Sequence, residues 1–276
     1  MKLQQIFFIL LLSIKFNLLS ENPKWLRNVS ISPSGERIAF TYKGDIYTVD
    51  SKGGKAQRLT NDPSYDSNPV WSFDGSQIAF LSSREGSDDI YLVTSEGGTP
   101  HRLTFQSGNE LPLTFLNDSL LLFRGNGIPS KDSSRAPYFS QLYTINTSQD
   151  SPRPILYSSM PVVSAKANLD GDLLLEERRG IENIYRKHEQ SSANSQLWLL
   201  NNSNYQKLTE DERQNQNPVW GNKETIYYLA DKDGTLNVYQ KNSIGKKDIQ
   251  LTHFEHHPVR NLSASKIRNY YSGRFI

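Results

Sequence analysis

Residues 68–82 read NPVWSFDGSQIAFLS, and the tetrad NPVW returns at 217–220, 149 residues later. A chain that spells the same four residues twice is built from repeats, so the period is the first thing to establish. Residues 32–40 (SPSGERIAF) match 72–80 (SFDGSQIAF) at a shift of 40, and 220–228 (WGNKETIYY) is a looser copy. Downstream of each first word comes an aromatic one: Asp45-Ile46-Tyr47, Asp89-Ile90-Tyr91, Gln141-Leu142-Tyr143, Gln196-Leu197-Trp198 and Asn237-Val238-Tyr239. Each of the five units then closes on a Leu-Thr element at Leu59-Thr60, Leu103-Thr104, a decayed Ile155-Leu156, Leu208-Thr209 and Leu251-Thr252. The leucines are spaced 44, 53, 52 and 43 residues apart, and Leu59 to Leu208 is again 149. Two independent markers therefore advance together.

Within a unit, Ile38, Phe40 and Tyr42 alternate with Ala39 and Thr41, the period of two of a pleated strand with one apolar face. Turn dipeptides separate the strands: Ser34-Gly35, Asp74-Gly75 and Asp170-Gly171 after the first, Gly53-Gly54 and Gly97-Gly98 after the third. Four strands in about 40 to 50 residues make one propeller blade. A lone blade exposes both faces, so blades stack in series around an axis. The expected fold is all-β, a propeller of five four-stranded blades plus the first strand of an incomplete sixth. Trp71 and Trp220 are expected to fill equivalent slots between adjacent blades rather than to stack a ligand.

Composition agrees. Apolar residues are 36% of the 276, with 14 Tyr and 12 Phe, which suits short half-buried strands. The balance of 31 basic and 29 acidic residues gives no footprint for nucleic acid. Cysteine is absent, which removes disulfides, zinc-thiolate sites, thiol nucleophiles and a lipidated cysteine anchor together. Residues 1–20 read as a secretory signal: Lys2, the apolar run Ile6 to Leu12, and Ser20 before a polar stretch. That run is too short for a bilayer, so no stable membrane insertion is expected once it is cleaved, and the mature chain is expected to be periplasmic or secreted. An uncleaved anchor or a mis-started reading frame is the alternative. The propeller then spans 21–265, leaving 266–276 as a divergent tail.

These words resemble the TolB-like, tricorn-type β-propeller repeat, whose pattern runs W-S-P-D-G, I-A-F, D-I-Y, G-G, R-L-T. The resemblance covers Trp25 to about Ser265, and Tyr42 to Tyr47, Ser107 to Glu110, Tyr185 to His188 and Leu251 to Phe254 are words similar to those of secreted bacterial tricorn protease homologues. It implies a propeller that precedes a PDZ-like domain and a serine-peptidase domain acting on oligopeptides, and that filters or guides peptides. The family's catalytic residues lie in that absent C-terminal part, so none carries over. After residues 257–265 (HPVRNLSAS) the pattern asks for an Asp-Gly turn, and KIRNYYSGRFI follows instead. The expectation is a truncated or frame-shifted product, self-associating through unpaired blade edges; a complete short propeller with a divergent last strand is the alternative.

Candidate chemistry is sparse. There is no G-x-S-x-G elbow, and the five histidines lie on blade connections, so hydrolysis by this chain alone is not expected. His253, His256 and His257 with Glu255 lack the helical i, i+4 spacing of zinc helices. Asn168-x-Asp170-Gly171 is similar to a calcium loop, but Lys166 stands at its first ligand position and a hairpin turn fits better. Gly125-Asn126-Gly127 has no helix after it to hold a phosphate. Glu176-Glu177 invites comparison with the Glu pair that anchors substrate amines in dipeptidyl-peptidase propellers, and is expected to be solvated. No metal or cofactor is expected. The binding candidate is the basic cluster Arg178, Arg179, Arg186, Lys187 and His188, able to take a peptide carboxylate or to pair with Glu176, Glu177, Glu182 and Glu189, the latter favoured. Three functions stay open: a non-catalytic peptide-binding module of a serine peptidase, a stand-alone TolB-like propeller that docks a protein, and a metal-dependent propeller lyase, which would need the histidines to point inward.

Overall fold

The computed structural model describes residues 26–106, 108–126, 140–149, 152–178, 191, 193–221, 224–243, 247–256 and 258–265. All regular structure in them is β, arranged as five antiparallel sheets of four strands in sequential order. Blade 1 holds β1 (Arg27–Ile31), β2 (Arg37–Tyr42), β3 (Asp45–Asp50) and β4 (Gln57–Arg58). Blade 2 holds β5 (Asp66–Trp71), β6 (Gln77–Ser82), β7 (Asp89–Thr94) and β8 (His101–Arg102). Blade 3 holds β9 (Leu111–Phe115), β10 (Leu120–Gly125), β11 (Gln141–Asn146) and β12 (Ile155–Ser158). Blade 4 holds β13 (Val162–Ala167), β14 (Leu173–Glu177), β15 (Gln196–Asn201) and β16 (Asn204–Lys207). Blade 5 holds β17 (Asn215–Trp220), β18 (Thr225–Ala230), β19 (Asn237–Asn242) and β20 (Asp248–Gln250).

The inner strands β1, β5, β9, β13 and β17 pack in chain order around one axis. Blades meet face to face, small residues against large. Ala39, Ile46 and Leu59 of blade 1 take Trp71, Ile78 and Phe80 of blade 2. In the same way Leu174, Leu197 and Leu208 of blade 4 take Trp220, Ile226 and Tyr228 of blade 5. The alternation of Ile38, Phe40 and Tyr42 suggests one apolar face, yet Ala39 at 0% and Thr41 at 1% exposure show the opposite face buried as well. A propeller strand has a neighbour on each side, and its small residues leave room for the aromatics of the next blade.

The repeated tetrad now has a physical account. Asn68 and Asn217, with Asn28 at the matching place in β1, sit in the left-handed region at φ 54°, 51° and 51°. Each lies where the ladder to the second strand slips by one residue, a bulge that asparagine tolerates better than most residues. The asparagines also link neighbouring inner segments: Asn28 Nδ2 donates to Asn68 Oδ1 at 2.7 Å, and Asn217 Nδ2 to the Arg260 carbonyl at 3.3 Å. Trp71 Nε1 reaches back to the Ser30 carbonyl at 3.1 Å, and Trp220 Nε1 to that of Lys166 at 2.9 Å, the preceding inner strand in both cases. The two tryptophans do fill equivalent inter-blade slots.

The Leu-Thr words close blades 1, 2, 4 and 5. Thr60, Thr104, Thr209 and Thr252 accept through Oγ1 from the amides of Ile46, Ile90, Leu197 and Val238, at 3.0, 2.8, 3.0 and 2.9 Å. The preceding leucine amide donates to the carbonyl of that same third-strand residue. The glycines act as read: Gly75 at φ 74° and Gly97-Gly98 at 96° and 123° make the two reversals of blade 2.

Residues 258–265 occupy the sixth inner position. Ser263 Oγ accepts from the Ile31 amide at 3.0 Å, and Val259, Leu262 and Ala264 cover Val219, Leu229 and Val238 of blade 5. The segment sits where the first strand of a sixth blade belongs, without a ladder among the described residues. The signal segment 1–20 and the tail 266–276 lie outside the described residues.

Candidate functional site

Where the inner strands converge they line an axial pocket of about 80 Å³, open on one side. Ser30, Val70, Thr114, Lys166 and Val219 line it from β1, β5, β9, β13 and β17, and Ser263 does so from the sixth position. The five strand residues are register-equivalent, each opposite the second core residue of its neighbouring strand: Ala39, Ala79, Leu122, Leu174 and Tyr227. Trp71, Trp220 and Phe73 add aromatic wall.

One member of this ring carries a charge. Lys166 Nζ donates to the Leu113 carbonyl at 3.2 Å, and burial pushes its ammonium down to about 8. No carboxylate lines the pocket among the described residues. The sequence reading met Lys166 only as a misfit in a calcium loop. Aligning Asp170-Gly171 on Asp74-Gly75 would have set Lys166 on Val70, a charge in a pocket-lining place, and that signal was available.

The basic cluster read from sequence is represented by Arg178; Arg179, Arg186, Lys187 and His188 lie outside the described residues. Arg178 pairs locally, its guanidinium donating to Glu176 Oε1 at 3.3 Å and to Ser195 Oγ at 3.1 Å. Glu176 also accepts from Ser195 Oγ at 2.9 Å and from the Asn217 amide at 2.9 Å. Burial raises its carboxyl, and these donors oppose that rise. The nearby Arg124 is destabilised as a cation, first by burial and then by Arg178.

The expectation that Glu176 and Glu177 are solvated is overturned: they are 3% and 6% exposed. Glu176 locks the bulge at Asn217, and Glu177 Oε2 accepts from Trp198 Nε1 at 2.8 Å. Both carboxylates are engaged in holding blades 4 and 5, so a substrate-amine role finds no support in their geometry. The calcium-like loop is a turn, with Asn168 Oδ1 accepting from the amides of Asp170 and Asp172. His253 and His256 are exposed after β20 and do not line the axial pocket, while His257 lies outside the described residues.

With this geometry in place, comparison with known proteins is informative. The family model for the tricorn protease N-terminal β-propeller domain matches residues 23–273. Tricorn protease homolog 1 of Streptomyces coelicolor is 36% identical over 72 residues, 26% of this chain and 7% of that protein. The crystal structure of the tricorn protease superposes with a TM-score of 0.71 at 22% identity, covering 88% of this chain and 24% of that one. A putative TolB from Agrobacterium tumefaciens superposes with a TM-score of 0.65 at 15% identity, covering 83% and 81%. The likenesses at these low identities speak for the fold. The chain spans under a quarter of the tricorn protease structure and a smaller share of the Streptomyces protein.

Proposed function

The chain belongs to the tricorn protease N-terminal β-propeller family, and from that premise we propose that it is a non-catalytic peptide-binding or substrate-guiding module of a tricorn-like serine peptidase. The observation that carries this reading is the axial pocket, formed jointly by every inner strand and furnished with one unneutralised cation and three hydroxyl side chains, Ser30, Thr114 and Ser263, among valine and aromatic walls. Such a mix of apolar surface with a few convergent polar groups suits a short peptide segment. Export fits the N-terminal sequence pattern at 1–20.

The test is direct. The 276-residue chain, incubated with a fluorescent library of short peptides, is expected to bind a subset without cleaving any. Cleavage by the purified chain, or binding to none of the library, would overturn the reading. Expression in a bacterium should give a mature N-terminus near Glu21 by mass spectrometry; an intact Met1 in the membrane fraction would contradict export.

A second reading is favoured by one observation: this chain covers most of a TolB-like structure, whereas it covers a fraction of the tricorn protease. On that reading it is a TolB-like propeller that docks a protein partner. A folded protein captured by the chain and not displaced by short peptides would favour it.

A further inference from the structure

We propose that the axial pocket is a carboxylate site, with Lys166 as its cation, which takes the C-terminal carboxylate of a peptide whose last residue is small and apolar. The proposal rests on the peptide-binding reading above and sharpens it to one residue and one functional group.

Four observations converge. First, Lys166 stands in a ring whose equivalent places are filled by Val70 and Val219, so a valine satisfies the packing and the charge is not required by the fold. Second, the ammonium makes one hydrogen bond to protein, to the Leu113 carbonyl at 3.2 Å, leaving two of its three protons without an acceptor among the described residues. Lys166 is partly buried, and an anion in the pocket would give its ammonium a charge-assisted partner that it lacks among the described residues. Third, no other titratable group lines the pocket from any of the six segments among the described residues, so nothing there neutralises Lys166 in place of a ligand. One positive charge balances a monoanion, which favours a carboxylate over a phosphate dianion.

Fourth, the volume fits. At roughly 10–15 Å³ for each water-sized group, a pocket of about 80 Å³ holds a terminal residue the size of alanine. Ser263 Oγ already accepts from the Ile31 amide, which leaves its hydroxyl proton to donate to a second carboxylate oxygen. The indole N–H groups of Trp71 and Trp220 are spent on backbone carbonyls, so these side chains offer apolar surface to the methyl group of the bound residue.

The experiment uses the whole 276-residue chain and three probes: acetyl-Ala-Ala with a free carboxylate, the same peptide as its C-terminal amide, and acetate. Calorimetric titration at neutral pH is expected to show binding of the acid and at least tenfold weaker binding of the amide. The Lys166→Met variant should lose the acid by at least tenfold, while circular dichroism confirms that it folds. Ser263→Ala should weaken the acid by a few-fold and leave the amide unchanged. Affinity for the acid should also fall as pH rises through about 8, where Lys166 loses its proton, a dependence absent from Lys166→Met. Equal binding of acid and amide, or full binding by Lys166→Met, would overturn the proposal. Acetate binding as tightly as the peptide would overturn the peptide assignment. If peptides from the library bind but Lys166→Met leaves that binding intact, the carboxylate site fails while the peptide-binding reading stands.

Discussion

Individual residues in this propeller hold opposite bargains with burial, and Glu110 shows the unfavourable kind. It is 3% exposed just before β9, and its carboxylate oxygens make no well-formed hydrogen bond among the described residues, the Thr104 hydroxyl being the donor near it. Asp66, at the corresponding place before the bulge of blade 2, is gripped by both oxygens through Arg84 at 3.1 and 3.0 Å. Burial pushes Glu110 from 4.5 up to about 7, with the Thr104 hydroxyl and Arg102 opposing and Asp89 adding to the rise. Because the folded state then holds a proton that the unfolded chain has released, stability falls as pH climbs from 4.5 to about 7 and levels off above. The shift corresponds to something on the order of 3 kcal/mol. Glu110→Gln is therefore expected to raise the unfolding midpoint at pH about 8 and to change it little at pH about 4; a gain equal at both values would contradict this. Asn68 illustrates the favourable kind. Asn68→Ala should cost about 1–2 kcal/mol in urea unfolding, from the left-handed backbone and the lost bond to Asn28. Asn68→Gly should cost less, since only the side-chain bond goes; equal losses would mean that the backbone conformation is not the constraint.

At the scale of strands and blades, the threonine latch is the recurring device. Thr104→Val keeps the shape of the side chain but leaves the Ile90 amide without its acceptor, so it should cost about 1–3 kcal/mol. Thr252→Val should cost less, because the bond it removes is part-buried where that of Thr104 is buried, and Leu251 beside it is 37% exposed while Leu103 is at 0%. Urea midpoints of the two variants decide the matter, and the reverse order would refute the latch account. Latches, turns and inner-strand tetrads were legible in the sequence because each is a local word whose meaning is set within a few residues. Glu176 was not. Its burial depends on the Asn217 amide, 41 positions on and in the next blade, and nothing near Glu176 announces that neighbour. Lys166 lies between these cases: its ring position could be aligned, but its enclosure follows only once six segments close around the axis. The wide fourth unit marked the basic cluster in sequence, while the structure assigns Arg178 to a local pair with Glu176.

For the whole molecule, the closing leucines of blades 1, 2 and 4 contrast with that of blade 5, and the decayed third unit, with Ile155 at 68% exposure, stands apart from both. Closing leucines Leu59, Leu103 and Leu208 are 6%, 0% and 6% exposed because each packs toward the next blade. Leu251 is 37% exposed, with Ile249 at 50% and Phe254 at 51% around it. Residues 258–265 cover the inner part of that blade through Val219, Leu229 and Val238, but the outer part keeps its apolar side chains toward solvent. Every blade has an unpaired outer edge, and exposed apolar side chains on and just after β20 favour pairing of that edge with another chain. The 276-residue chain is accordingly expected to self-associate at micromolar concentration, with light scattering after size exclusion showing species above the monomer. Ile249→Lys with Leu251→Lys should shift that distribution toward monomer without changing the circular dichroism spectrum, since both side chains are exposed at the outer edge and their replacement disturbs no core. Substituting Tyr205→Lys, an equally exposed aromatic on the outer strand of blade 4, should leave the distribution unchanged and so separates a specific edge from general stickiness. A monodisperse monomer for the parent chain would show that the outer face of blade 5 is satisfied within the molecule.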